Sequence, residues 1–513
     1  MSGFCSRKFV VVMLEVAVLA AGAARAEVQL PALISDGMVL QQGVKVNIWG
    51  AAAPGERVSV TLQDQKASGV ANGGGEWKVQ LGPLRAGGPF TLTVVGKNTL
   101  TVHDVLVGEV WICSGQSNMA MPVSGVNNAQ DEIARADYPT LRLFTVRREL
   151  AAKPQREATG YWVRTRPDTV GDFSAAAYFF GRELQKALNV PIGLIHTSWG
   201  GTPAEAWTSR ETLESDPDFK SILEAGEKLI SPYPKLFDDY NVQLAQWRQA
   251  SDQAEAEGAP VPIAPALPDD PRRNPHRPAS LFNAMIMPLI NYAMRGAIWY
   301  QGESNTSRAV QYRKLFPAMI RDWRRVWGEG DFPFLFVQLA NYGITPSMLS
   351  WPATREAQAM ALALPKTGMA VTIDIGDGGD IHPKNKQEVG YRLALAAEGI
   401  AYGMDVIYSG PVYESMQVEG DKIRLRFKYV YGGFGPKGPQ VAGLEIAGED
   451  RKFVRAQATM EGDTLLVGSS SVAHPVAVRY AWAMNPSCNL YNRAGLPAAP
   501  FRTDDWDDLL YVR

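Results

Sequence analysis

The chain predicts an α/β fold: a parallel sheet with helices on both faces, flanked by N- and C-terminal β-sandwich modules. Three observations carry this. Residues 28–104 are written in short alternating runs such as Val44-Lys45-Val46-Asn47-Ile48 and Phe90-Thr91-Leu92-Thr93-Val94, the period of strands with one buried face. From Val105 the runs become continuously apolar and alternate with amphipathic helical stretches, as a parallel sheet buried on both sides requires. From about Asp405 the alternation returns, in Lys422-Ile423-Arg424-Leu425-Arg426-Phe427 and Val476-Ala477-Val478-Arg479-Tyr480.

Residues 1–26 read as an export signal. Arg7 and Lys8 precede an apolar run from Phe9 to Ala21, and Ala24-Arg25-Ala26 supplies a small-residue cleavage pattern. Glu15 interrupts the run, which is shorter than the roughly 18 residues of a membrane span. The expected location is therefore periplasmic or secreted, with no membrane insertion after the signal is removed. Residues 27–104 form the first β-sandwich, punctuated by Ala53-Pro54-Gly55-Glu56 and Gly73-Gly74-Gly75.

The α/β domain spans 105–403, with strands expected at 105–113, 192–196, 297–300, 334–339 and 369–373. The helices between and after them are expected at 173–188, 309–327, 354–364 and 386–401. At about 210–279 charged helical text and a Pro-rich stretch interrupt the alternation and read as an insertion that could wall one side of a cleft. Residues 404–513 form the closing β-module. In a sheet of this kind ligands bind beyond the carboxyl ends of the strands, so the residues that follow each run matter most.

Composition narrows the function. At 513 residues, 46% hydrophobic and 20% charged, the chain can bury several cores, which excludes global disorder. With 51 basic against 53 acidic side chains there is no broad basic face, and nucleic acid is not an expected partner. Of three cysteines, Cys5 lies in the leader; Cys113 and Cys488 are too few for a disulfide scaffold and lack metal-ligand spacing. No metal or other cofactor is expected. Cys113, inside an apolar run, reads as a buried thiol, and a bridge to Cys488 stays open without support from the sequence. The sequence does not determine the oligomeric state.

The first strand ends Trp111-Ile112-Cys113-Ser114-Gly115-Gln116-Ser117-Asn118-Met119, which puts Ser117 at the mouth of the sheet near a helix N-terminus. Backbone N–H groups there favour developing negative charge, so the place suits a nucleophile, although serines at strand ends are commonly caps or turn formers. A serine hydroxyl needs a base, and the chain has five histidines. His103, His276 and His474 lie in strand, linker and late β text and read as structural or solvated. His382 follows the last α/β strand with Asp380 and Asp377 two and five positions upstream, and an acid-held imidazole is what activation requires. His382 ranks first and His196, at the end of a buried strand, second. The second run exits into Thr197-Ser198-Trp199-Gly200-Gly201-Thr202, where paired glycines let backbone N–H groups approach closely. The third exits into Trp299-Tyr300-Gln301-Gly302-Glu303-Ser304-Asn305, with a side-chain amide and a carboxylate. Each loop alone could be a tight turn. Together, four strand ends bring a nucleophile, backbone donors, an amide and an acid–base pair toward one edge.

Gly115-Gln116-Ser117-Asn118-Met119, Ser198-Trp199-Gly200-Gly201, Trp299-Tyr300-Gln301-Gly302-Glu303-Ser304-Asn305 and Asp380-Ile381-His382-Pro383 resemble the blocks of sialate O-acetylesterase-like carbohydrate esterases of the SGNH hydrolase superfamily. The resemblance covers about 105–403 and implies an SGNH-hydrolase-like sheet, Ser117 as nucleophile and His382 as base. It also implies an oxyanion hole from the Ser117 N–H, the Gly201 N–H and the Gln301 amide. Two departures matter. Many superfamily members have asparagine where this chain has Gln301. The usual acid position, three residues before the histidine, is Gly379, so Asp380 is taken as the acid, while Asn118, Glu303 and Asp377 are held as substrate-binding or reserve-acid positions.

The expected activity is removal of O-acetyl groups from sugars by two-step acyl transfer, and the expected partner is an acetylated saccharide. With an ordinary histidine pKa near 6.5, such activity should rise through that region of pH. Sialic acid and an acetylated hemicellulose, xylan or xyloglucan, are the competing substrates. A sialate calls for a cation near its carboxylate, which Arg308 or Arg272-Arg273 could supply, though arginines are commonly solvated. Trp199, Trp207 and Trp299 suit sugar rings, with core packing the ordinary fate of any one of them. The alternative from another class is a non-catalytic glycan-binding protein on the same scaffold.

Overall fold

A computed structural model describes residues 27–343 and 350–507; the leader, 1–26, lies outside them. One strand organises the molecule. Thr99–Gly115 is 17 residues long, exposed and buried by turns up to Asp104 and buried throughout from Val105. That is the change of pattern seen in the sequence. The first part of the strand pairs antiparallel with Gly87–Val95, which in turn pairs with Arg57–Leu62. Its last part pairs in parallel with Ile192–Ser198 and Gly296–Tyr300. The N-terminal layer and the α/β sheet therefore share one continuous backbone across positions 104 and 105. A two-stranded layer, Val46–Ala51 with Glu76–Leu81, completes the N-terminal part over a core that includes Val58, Val60, Val79, Leu81 and Leu92.

The α/β sheet runs Thr367–Ala370, Phe334–Val337, Gly296–Tyr300, Thr99–Gly115, Ile192–Ser198, Tyr138–Thr145, Trp162–Thr165. All neighbours are parallel except the last pair. Successive side chains of a strand point to opposite faces, and here both faces are covered. Ile298, Leu335 and Val337 pack with Phe179, Phe180 and Leu184 of the helix Ala175–Leu188 and with Leu393 and Ala397 of Lys386–Ala401. Trp299, Phe334 and Phe336 pack on the other face against Phe316 and Trp323 of the helix Ala309–Trp327, with ring centroids 5.0 to 5.8 Å apart. Each such aromatic or aliphatic side chain contributes roughly 1.5–3 kcal/mol on burial, so the sheet holds its strand ends in place on both sides.

Two strands are absent from the sequence expectation, Tyr138–Thr145 and Trp162–Thr165. The first is buried from Leu141 to Phe144 but carries Arg142, which breaks the apolar run. Arg142 is buried because it meets Asp104 at 2.6 Å and also donates to the Gly37 carbonyl. The two arginines 142 and 164 hold the Asp104 carboxyl below its usual range against a burial effect that raises it.

The insertion contains the helices Lys220–Ile230 and Tyr233–Glu257; only Tyr233 and Ser251 of the second are buried. The closing module has two four-stranded antiparallel sheets, one built on Lys422–Lys428 and one on Leu444–Ala447, whose Leu425, Leu465, Ile446 and Val478 are all buried. Arg355, fully buried, ties this module to the α/β domain by donating to the carbonyls of Leu339, Ala340, Ala483 and Met484. Cys113 and Cys488 are both free thiols.

Candidate active site

The parallel strands end on one edge, and their exits form the site. Gly115 closes the long strand at φ +142°, and a Cβ there would run into the Tyr300 carbonyl, so only glycine makes this bend. The bend lets the Gln116 N–H reach Tyr300 O at 3.0 Å and starts the short helix Ser117–Ala120. As the first helical residue, Ser117 has an N–H without an intrahelical acceptor. Gly200 lies directly over it; a methyl at Gly200 would sit 3.4 Å from Ser117 Cβ. Gly201 follows at φ +75°, a conformation natural for glycine.

His382 arrives on the loop after Thr367–Ala370. Its Nε2 is hydrogen-bonded to Ser117 Oγ at 2.8 Å, and its Nδ1 faces Asp380 Oδ1 at 3.7 Å. The same Asp380 oxygen accepts the His382 backbone N–H at 2.8 Å, which fixes the turn. Both side chains are nearly half exposed. Asp377 accepts the Gly379 N–H at 2.8 Å and has no described contact with the imidazole. A cavity of about 270 Å³ opens beside His382, lined among others by Asn127, Ile375, Asp377, Asp380 and Lys384. A roomier cavity of about 820 Å³, between Trp49, Trp77 and residues 154–157, shares no residue with it.

The other expected residues take different places. Gln301 is fully buried: its amide nitrogen donates to Thr202 O (3.2 Å) and Asn305 Oδ1 (2.6 Å), while its oxygen accepts from the Tyr312 hydroxyl. Both amide hydrogens are thus engaged within the protein, and the side chain braces the Gly200–Gly201 loop from below. Asn305 adds to the brace by accepting the Ala204 N–H and donating to Glu205. Gln116 Oε1 accepts from the N–H groups of Gly302 and Ser304. Asn118 and Glu303 lie side by side, 2.5 Å apart, with Asn118 also donating to the Ile381 carbonyl. His196 does not meet Ser117. Its Nε2 is 2.6 Å from Ser198 Oγ, and burial with nearby Arg148 pushes its pKa to about 3, which keeps the ring neutral. Trp207 and Trp299 are core residues packed edge to face, whereas Trp199 is partly exposed.

Two residues near the site carry no clear signal in the sequence. Lys386 is fully buried and donates to Asn118 Oδ1 and the Pro383 carbonyl, both at 2.7 Å. Its only sequence signal is a lysine at the first position of a helix, where the macrodipole disfavours a cation. His276, at the end of the insertion, comes within 4.0 Å of where a side chain at Gly201 would begin.

Comparison with known proteins supplies the family. A family model described as carbohydrate esterase, sialic acid-specific acetylesterase matches residues 107–229 and 275–398, the gap falling on the long helix of the insertion. Sialate O-acetylesterase of Rattus norvegicus is 33% identical over 520 residues, covering 91% of this chain and 93% of its own. The Homo sapiens sialate O-acetylesterase is 32% identical, covering 91% of each chain. The crystal structure of a carbohydrate acetylesterase from Xanthomonas citri superposes with a TM-score of 0.80 at 38% identity, over 94% of this chain and all of that one. With the strand-edge site and these relatives together, the chain belongs to the sialate O-acetylesterase-like family of carbohydrate esterases and is a carboxylic ester hydrolase with acetylesterase function.

Proposed function

We propose that this acetylesterase works by acyl transfer through Ser117, with His382 as general base and Asp380 as the carboxylate facing the imidazole. The observation that supports this most is the 2.8 Å bond between Ser117 Oγ and His382 Nε2, from residues 265 positions apart. His382 takes the Ser117 proton as Oγ attacks the acetyl carbonyl carbon, and the carbonyl oxygen becomes the oxyanion. The Ser117 and Gly201 N–H groups are the donors proposed for it; Gln301 serves by bracing their loop. Collapse of the tetrahedral intermediate expels the sugar oxygen, which takes the proton from the imidazolium. Water, deprotonated by His382, then attacks acetyl-Ser117, and collapse releases acetate and returns the proton to the serine.

The favoured substrate is a neutral acetylated saccharide, such as a xylan or xyloglucan. Of the three arginines considered for a sialate carboxylate, Arg308 is paired with Glu205, and Arg272, which lies 5.1 Å from the centre of the Tyr233 ring, with Asp270, while Arg273 is solvent-exposed. Pairing spends the charge that carboxylate recognition requires. Sialate is the second reading, favoured by the activity for which the rat and human relatives are named. Acetate release from acetylated xylan, xyloglucan and sialosides, by wild type and by Ser117→Ala, tests both parts. Release from the sialosides alone overturns the neutral-sugar reading, and activity retained in Ser117→Ala overturns the nucleophile. Export is proposed from the leader pattern; among the described residues no helix is long and apolar enough to cross a membrane. Cell fractionation with N-terminal sequencing of the mature protein tests it.

A further inference from the structure

Beneath the Ser117–His382 pair lies a buried chain of polar groups that the acyl-transfer steps do not use. Lys386 opens the helix Lys386–Ala401. Its ammonium donates to Asn118 Oδ1 and to the Pro383 carbonyl, and stands 5.1 Å from the centre of the Tyr300 ring. Asn118 continues the chain, its Nδ2 donating to Glu303 Oε1 at 2.5 Å and to the Ile381 carbonyl at 3.0 Å. Glu303 Oε2 is buried with no hydrogen-bond partner.

Helix stability does not account for this lysine. A cation at a helix N-terminus opposes the macrodipole, and taking an ammonium out of water is unfavourable unless it is well paired. What the chain does connect is specific. It holds the carbonyls on either side of His382, those of Ile381 and Pro383, and it holds them to the residue that follows Ser117. We propose that Lys386, Asn118 and Glu303 form a positioning clamp that fixes the His382 loop against Ser117, so that imidazole and hydroxyl stay in register through the reaction. The proposal rests on the acyl-transfer reading above and deepens it.

The charges of the clamp depend on one another. Burial pushes the Lys386 ammonium down to about 7, while Glu303 and Asp380 pull it back up. Burial raises the Glu303 carboxyl, while Asn118 and Lys386 lower it. The groups facing Lys386 are Glu303 from the loop after Gly296–Tyr300, Asp380 from the loop that carries His382, the Asn118 amide and the Tyr300 ring.

The test uses the full chain and a small chromogenic acetate. Lys386→Met is expected to lower kcat about tenfold or more through misplacement of the base, with KM within about twofold. Should the single variant fail to melt cooperatively, Lys386→Met with Glu303→Gln removes both charges, leaves no unpaired buried ion and is expected to show the same fall in kcat. A folded variant with wild-type kcat overturns the clamp, and so does a loss confined to KM. An inactive wild type, or activity that survives Ser117→Ala, overturns the acyl-transfer reading instead, so the two failures are told apart.

Discussion

Replacing Asp380 by asparagine removes one charge and little else. Asparagine retains an oxygen that can accept the His382 N–H, now held by Asp380 Oδ1 at 2.8 Å, so the turn should survive. What is lost is the attraction between a carboxylate and the imidazolium formed in the transition state, across the 3.7 Å from Asp380 Oδ1 to His382 Nδ1. At that separation the attraction is about 1 kcal/mol in bulk water and about 4 kcal/mol at an effective dielectric of 20. The carboxylate is 48% exposed, so the watery end of the range applies. A loss of about 1–2 kcal/mol corresponds to roughly a five- to thirtyfold fall in kcat, far short of the roughly 10⁴-fold expected where a triad aspartate is buried and hydrogen-bonded to the ring. Steady-state hydrolysis of a chromogenic acetate at pH 8, with melting temperature as a control for the loop, measures it. A fall beyond about 10³-fold would mean that the carboxylate closes on the ring in the working enzyme; a change under twofold would mean that it does not serve the imidazole. Either result refutes the reasoning. Asp377→Asn, which touches only the Gly379 N–H, is expected to stay within about twofold of wild type.

Ser117→Ala should lower acetate release by at least about 10³-fold while leaving the melting temperature near wild type, as read by activity and calorimetry. Gly115→Ala forces a Cβ onto the Tyr300 carbonyl at a φ that L-residues avoid, and should destabilise by about 3 kcal/mol or more in urea titration. Gln301→Ala distinguishes a brace from a donor: loss of an oxyanion donor costs about 10²–10³ in kcat. A brace predicts a smaller fall in kcat, with about 1–3 kcal/mol lost in denaturant titration as the Tyr312 hydroxyl and Thr202 carbonyl lose their partner. For Lys386 the folded pKa of about 7 lies below the value of an exposed lysine, so the unfolded chain binds the extra proton between them. Its contribution to stability therefore rises from pH 7 upward, and any thermal advantage of Lys386→Met should be largest below pH 7 and shrink toward pH 10.

Much of this protein is legible in its amino-acid order. The change from alternating to continuous apolar text at Val105 marks where one strand passes from a half-covered layer into a sheet covered on both faces. The helices Ala309–Trp327 and Lys386–Ala401 coincide with their sequence expectations because their apolar stripes are uninterrupted. Ser117 and His382 stand out because few residue types at a strand exit can offer a nucleophile or a base, and the fold brings these two within 2.8 Å. The strand Tyr138–Thr145 does not, because Arg142 breaks its pattern and the neutralising partner, Asp104, lies 38 positions away.

The sequence by itself determined the fold class and singled out a strand edge with Ser117 and His382, which the fold brings within 2.8 Å of each other; these are legible from local periodicity and side-chain chemistry. Only the tertiary structure decided which polar groups are inside. It turned Gln301 into the protein, left His196 neutral against Ser198, and buried Lys386 between the loops of Ser117 and His382. A lysine or a glutamine carries no sign in the sequence of the environment it will meet, because burial and pairing are set by how segments meet in space, as Lys386 meets Asn118 across 268 positions.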